Sequence, residues 1–90
     1  MKTKVIFREW PDKSIIALFP EINADSTFYN CLSYMRIGQH GAANCQGVID
    51  TTCPAKDYTD LKNELGRLGY ILDVRKNYTC KMRDNRLKNS

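Results

Sequence analysis

Four cysteines and one histidine are the residues of this chain that could carry out nucleophilic, redox or metal chemistry. His40 lies shortly before Cys45 in a glycine-rich stretch. A histidine near a cysteine can form a thiolate nucleophile when neighbouring charge lowers the thiol pKa and a third group orients the imidazole. One hypothesis is therefore a small thiol-dependent enzyme or redox protein that uses Cys45 and His40.

Cys31, Cys53 and Cys80 could join this pair around a zinc ion, but the spacing does not favour it. Ligand pairs in zinc sites are usually about two to four residues apart, and the chain has no C-x-x-C or H-x-x-x-H pair. Residues 38–41 also lack the lysine of a P-loop and the later glycines of a dinucleotide-binding loop. We therefore predict no metal, cofactor or catalytic residues, and favour a non-enzymatic protein.

The elements that must position these residues begin with three strands. Residues 3–10 and 31–37 alternate in polarity, and residues 14–19 are apolar on both faces, which predicts a central strand. Pro11 predicts the turn between the first two strands. Residues 38–47 contain three glycines and predict a long loop with at most a short helical turn.

A change of period after Pro54 predicts one amphipathic helix, capped by Thr51 or Thr52 and stopped by Gly69. Residues 70–78 alternate again and predict a fourth strand. The order β-β-β-α-β predicts an α+β fold with one helix packed on a four-stranded mixed or antiparallel sheet. Beneath the helix we expect Val5, Phe7, Leu32, Tyr34, Leu72 and Val74.

Positive charge is concentrated at the C-terminal end. Residues 1–74 contain eight Lys/Arg and nine Asp/Glu, whereas residues 75–90 contain six and one, a local charge of +5. We predict a single domain over residues 1–80 followed by a basic, flexible tail over 81–90. Such a tail could contact nucleic-acid phosphates while an aromatic side chain stacks on a base. The candidate contacts are Tyr78, Lys81, Arg83, Arg86 and Lys88.

Composition indicates an ordinary globular protein, with 42% hydrophobic and 27% charged residues. No apolar run approaches the roughly 20 residues that cross a bilayer, and no export signal is visible. We therefore expect a cytoplasmic protein without membrane contact and with reduced cysteines.

Partner contact is the leading functional hypothesis, because catalytic sets are absent and charge is uneven. A sheet edge or the 38–47 loop would engage a protein or nucleic acid, and an exposed strand could also form a homodimer. Gln39 and His40 in the loop, and Trp10 beside the first turn, are the candidate partner residues. Trp10 could instead cover the end of the core.

Five short runs carry a resemblance to other proteins: Val5-Ile6-Phe7-Arg8, Ile16-Ala17-Leu18-Phe19-Pro20-Glu21, Cys31-Leu32-Ser33-Tyr34, Gly38-Gln39-His40-Gly41-Ala42-Ala43 and Leu68-Gly69-Tyr70. In their order and spacing over residues 3–78 the chain resembles a group of short uncharacterised proteins from gut Bacteroidales and their phages or mobile elements. The group has no activity to transfer, so the resemblance assigns no functional residue. It implies an intracellular accessory role in phage or mobile-element biology.

Overall fold

The computed structural model describes residues 2–24, 30–35 and 39–88. These residues form a small α+β fold of six strands and three helices, so the predicted class is confirmed and the predicted number of elements was too small. No helix in the described ranges is long and apolar enough to cross a membrane. The elements are β1 (Thr3–Glu9), β2 (Ile15–Asn23), β3 (Asn30–Met35), β4 (Gln39–Asn44), α1 (Cys45–Thr51), β5 (Cys53–Pro54), α2 (Thr59–Arg67), β6 (Leu72–Arg75) and α3 (Cys80–Lys88).

All six strands belong to one mixed sheet, in which five follow the order β4-β3-β2-β1-β5 and β6 also pairs with β1. β6 pairs in parallel with the first half of β1, and β5 pairs with its end. The other neighbouring strands are antiparallel. Because β2 lies between β1 and β3, the prediction that the second strand is interior is confirmed.

The face of the sheet beneath α2 carries the core that the sequence predicts. Leu61 and Leu65 of α2 are buried against the strand side chains that point to this face, which are every second residue along each strand. Aromatic rings extend this core, since Phe7 stacks on Tyr58 with ring centroids 4.3 Å apart. Gly69 ends the helix with φ of 106°, as predicted for a left-handed stop. The six predicted core residues all lie in or against this cluster: Val5, Phe7, Leu32, Tyr34, Leu72 and Val74.

The opposite face of the sheet is covered by α1 and α3, neither of which the sequence analysis predicted as a helix. Its cluster contains the remaining strand side chains together with residues from both helices: Ile6, Ile16, Leu18, Cys31, Cys45, Val48 and Met82. The architecture is therefore helix–sheet–helix. The sequence analysis predicted one helix on one face of the sheet, and the structure corrects this to helices on both faces.

The predicted 38–47 loop is a strand followed by a helix over its described part. β4 forms because each of its residues pairs with β3, from Asn30 opposite Asn44 to Met35 opposite Gln39. The Asn44 side chain then accepts the Gly47 N–H at 3.0 Å and begins α1. Thr51 consequently ends α1 instead of capping α2, so the predicted cap was wrong. α2 begins at Thr59 instead.

Residues 80–88 form a helix where the sequence predicts a polar tail without regular structure. The Thr79 hydroxyl accepts the Met82 N–H at 3.2 Å in its first turn. Met82 and Arg86 are the buried residues of α3, so the helix has no continuous apolar stripe. A helix held by one methionine and one arginine leaves little periodicity in its sequence.

Candidate functional site

β4 forms one border of the sheet. Within the described ranges it pairs with β3 on one side and with no strand on the other. In an antiparallel edge strand, alternate residues direct their N–H and C=O groups away from the sheet. β4 therefore offers a row of main-chain donors and acceptors to an added strand.

The sequence of β4 contains none of the residues that commonly protect a sheet edge. The strand, Gln-His-Gly-Ala-Ala-Asn, contains no lysine, aspartate, glutamate or proline, and Gly41, Ala42 and Asn44 are exposed. Folded proteins commonly protect sheet edges with charge, proline, bulges or very short strands. β4 has six residues, and its register with β3 is regular throughout.

The opposite border of the sheet is protected in several of these ways. β5 is only two residues long and one of them is Pro54. β6 carries an ion pair in which Arg75 donates to Asp73 at 2.8 Å. This hydrogen bond lowers the pKa of Asp73. Among the described residues, β4 is therefore the border with fewer of these protections.

His40 is fixed at the beginning of β4 by aromatic residues on the α2 face. Its Nε2 lies 2.9 Å from the Tyr70 hydroxyl, and its ring meets the Tyr34 ring edge-on at 4.8 Å. Tyr70 in turn stacks on Phe19, with ring centroids 5.0 Å apart. These contacts hold the beginning of β4 against the core.

His40 and Cys45 do not form the proposed catalytic pair. Cys45 is buried with Val48 and Met82 on the α1/α3 face, whereas His40 contacts Tyr34 on the α2 face. A hydrogen bond with Cys31, together with burial, raises the pKa of the Cys45 thiol far above its ordinary value. A neutral thiol on the other side of the sheet cannot be activated by this imidazole.

Trp10 and Gln39 lie at the same end of the sheet, where the β1–β2 turn and the beginning of β4 are found. Trp10 is half-buried and packs against the α1/α3 core, which matches the covering role considered from the sequence. Its indole N–H is buried without a hydrogen-bond partner among the described residues. The Gln39 backbone pairs with Met35, while its side chain and Gly38 lie outside what the structure describes.

The predicted nucleic-acid residues are divided between surface and interior. Lys81, Arg83 and Lys88 are exposed on α3, and Tyr78 is half-buried just before it. Arg86 is only 3% exposed and donates to the Pro20 carbonyl at 3.1 Å. Its guanidinium therefore anchors α3 to the sheet and does not face solvent.

A cleft of about 330 Å³ lies near the same end of the sheet, between the β1–β2 turn and the beginning of α2. Its volume falls within the usual range of small-ligand sites. Asp57 accepts the Thr59 N–H, which lowers the pKa of that carboxyl and keeps it ionised. Sequence analysis missed this cleft because its walls come from distant segments: Lys13, Ile15, Met35, Asp57, Tyr58 and Leu61.

Among the described residues, no group of three or more His, Cys, Asp or Glu side chains could hold a metal ion. The sequence analysis also did not predict β4 as a strand, although the lack of charged residues and proline in this segment was visible in the sequence.

Comparisons with protein families, curated proteins and solved structures find no match to this chain.

Proposed function

We propose that this chain is a non-enzymatic binding module that adds an extended protein strand to the outer edge of β4. The observation that carries the proposal is the contrast between uncharged β4 and the opposite border, with its proline and ion pair. Strand addition draws its affinity from main-chain hydrogen bonds. The small side chains of Gly41 and Ala42 would let a second backbone approach closely.

A second copy of the chain is the occupant that we assign to this edge. Two β4 strands related by a twofold axis would pair antiparallel and join two sheets into one. No residue of β4 carries a carboxylate or an ammonium group, so like-charge repulsion would not oppose this pairing. An accessory role in a phage or mobile element, and a cytoplasmic location, stay predictions from the sequence.

Analytical ultracentrifugation over a wide concentration range tests this assignment. We expect a reversible dimer, and we expect Ala42→Lys to weaken it at least about tenfold because two ammonium groups would meet near the twofold axis. Gly66→Lys is the matched control. It adds the same charge at an exposed α2 position, where an added Cβ meets no other atom within 4 Å.

Hydrogen exchange locates the interface in the same samples. Amides of residues 39–44 should become protected as the protein concentration rises, and Ala42→Lys should remove that protection. A strict monomer at every concentration would contradict the assignment. Equal weakening by Ala42→Lys and Gly66→Lys would place any interface elsewhere.

A second candidate function is nucleic-acid binding by the exposed cations of α3. Residues 75–90 carry six Lys/Arg and a single acidic residue, and Lys81, Arg83 and Lys88 face solvent. These cations could neutralise phosphates and release counterions. The burial of Arg86 removes one of the predicted contacts from this surface.

Fluorescence anisotropy with labelled DNA and RNA over a salt series tests this second candidate. The variant Lys81→Gln/Arg83→Gln/Lys88→Gln should lose binding and lower the salt slope. Lys56→Gln/Lys62→Gln/Arg67→Gln makes the same change of charge around α2 and should have a smaller effect. Absence of binding by the unaltered chain at low salt would exclude the candidate.

A further inference from the structure

Two thiols lie together beneath α3, on the face opposite to α2. Cys31 and Cys45 are 0% and 1% exposed and belong to the same cluster. Cys31 lies opposite Ala43 in the β3–β4 ladder, and Cys45 follows Ala43 by two residues, so both side chains face the same side of the sheet. Both thiols therefore lie within one buried cluster on the α1/α3 face.

The two thiols are not equivalent. The hydrogen bond from Cys45 lowers the pKa of Cys31, and the positive charge of Arg86 lowers it further, although burial acts in the opposite direction. The same hydrogen bond raises the pKa of Cys45, as does burial. Cys31 is therefore the thiol that loses its proton more readily, and Cys45 is the neutral donor beside it.

Arg86 supplies a cation next to this pair, and not all of its guanidinium donors are used in hydrogen bonds to other described residues. One guanidinium N–H₂ group donates to the Pro20 carbonyl, and the guanidinium carbon lies 5.8 Å from the centre of the Tyr78 ring. Nε has no hydrogen-bond partner among the described residues. A buried guanidinium with spare donor capacity stabilises an adjacent thiolate.

α3 is the cover that separates the thiols from solvent, and Met82 is its one buried apolar side chain. Its buried residues are Met82 and Arg86, and side-chain hydrogen bonds from Asn85 to Glu21 and from Asn23 to the Arg86 carbonyl supplement them. A helix with so little buried apolar area opens at lower free-energy cost than the central strands do. Such opening would admit a small oxidant such as hydrogen peroxide.

We propose that Cys31 and Cys45 are a peroxide-oxidisable pair that forms a reversible intramolecular disulfide between the beginning of β3 and the beginning of α1. The segment between them contains the whole of β4. A disulfide at these positions would join the beginning of β3 to the residue after β4, and so would close the open end of the β3–β4 hairpin. The inference does not require β4 to bind anything, so it stands apart from the proposed function.

The oxidant is a hydroperoxide, and the reaction balances in two steps. The Cys31 thiolate attacks one oxygen of hydrogen peroxide, the O–O bond breaks, and Cys31 becomes a sulfenic acid. The other oxygen leaves as hydroxide and becomes water with the proton that Cys31 lost. The Cys45 sulfur then attacks the Cys31 sulfur and displaces the hydroxyl group, which leaves as water with the Cys45 proton. In sum, two thiols and one hydrogen peroxide give one disulfide and two waters.

The test is hydrogen peroxide treatment of the full chain carrying Cys53→Ser and Cys80→Ser, since both of those cysteines are exposed and would compete. We expect the intact mass to fall by two hydrogens, and non-reducing peptide mapping to find a Cys31–Cys45 bond that dithiothreitol reverses. Amide exchange across residues 39–44 should slow at least about tenfold in the oxidised form.

Adding Cys45→Ser to the same background gives the matched control. Its remaining thiol should show no cross-link and no slowing of exchange. The proposal is overturned if thiol labelling after denaturation shows both thiols still free at peroxide concentrations that oxidise an exposed cysteine. It is equally overturned if oxygen is added to Cys31 while no bond to Cys45 forms.

Discussion

The two faces of the sheet are covered by different chemistry. On the α2 face, helix and strands meet through aliphatic and aromatic side chains, with Leu65 wholly buried and Phe7 stacked on Tyr58. On the α1/α3 face, two arginines are buried as well, and each donates to main-chain carbonyls. One face is therefore held by the hydrophobic effect and the other also by charged hydrogen bonds.

The arginines compensate for helices that bring few apolar side chains. α1 is seven residues long, and its C-terminal carbonyls would lack donors without help. The Thr51 and Thr52 hydroxyls donate to the Gly47 and Val48 carbonyls. Arg8 supplies the donors further on, to the Ile49 carbonyl at 2.9 Å and to the Thr52 carbonyl at 2.6 Å. A short helix at a sheet surface thus depends on a strand residue, whereas α2 depends on its own leucines.

The largest effect should come from the α2 face. Leu65→Ala removes a side chain with 0% exposure and leaves a cavity, so we expect a loss of about 2–5 kcal/mol in the free energy of unfolding. Leu68→Ala, at a residue that is 55% exposed, is the control and should cost less than about 0.5 kcal/mol. Urea unfolding measures both. Similar losses for the two variants would show that α2 is not packed as described.

A smaller effect should come from Arg8. Arg8→Met keeps much of the side-chain volume but leaves the carbonyls at the end of α1 without their donor, so we expect a loss of about 1–3 kcal/mol. Lys4→Met is the control on the same strand, because the Lys4–Glu21 ion pair is only partly buried and should contribute less than about 1 kcal/mol.

Hydrogen exchange adds a local readout to the Arg8 prediction. Amides of α1 should exchange faster in Arg8→Met and remain unchanged in Lys4→Met. If Arg8→Met proved as stable as the unaltered chain, with α1 still protected, the two faces would not differ as argued. Water would then be satisfying the Ile49 and Thr52 carbonyls.

This difference between the faces also explains what the sequence could predict. Leu61 and Leu65 recur at helical spacing and Val5 and Phe7 at strand spacing, so the α2 core follows from periodicity alone. Burial of Arg86 depends on the Pro20 carbonyl, 66 residues away, and no local pattern encodes that contact. β4 likewise becomes a strand through its pairing with β3, because its glycine and alanines have little strand propensity of their own.

The smallest effect compares one glycine in each helix. At Gly66 of α2 an added Cβ meets nothing within 4 Å, so Gly66→Ala should stabilise the protein by about 0.5–1 kcal/mol through helix propensity. At Gly47 of α1 the added Cβ would lie 3.4 Å from the Asn44 side-chain carbon, whose oxygen accepts the Gly47 N–H and caps the helix.

Gly47→Ala should therefore gain less than Gly66→Ala, because its added Cβ would lie in van der Waals contact with the Asn44 side chain and restrict the cap. Thermal unfolding of the two variants side by side measures the difference. Equal gains would mean that the cap adjusts freely and that α1 is limited by propensity alone. A net loss at Gly47 beside a gain at Gly66 would show instead that α1 depends on contacts at its ends, the Asn44 cap and the Arg8 guanidinium.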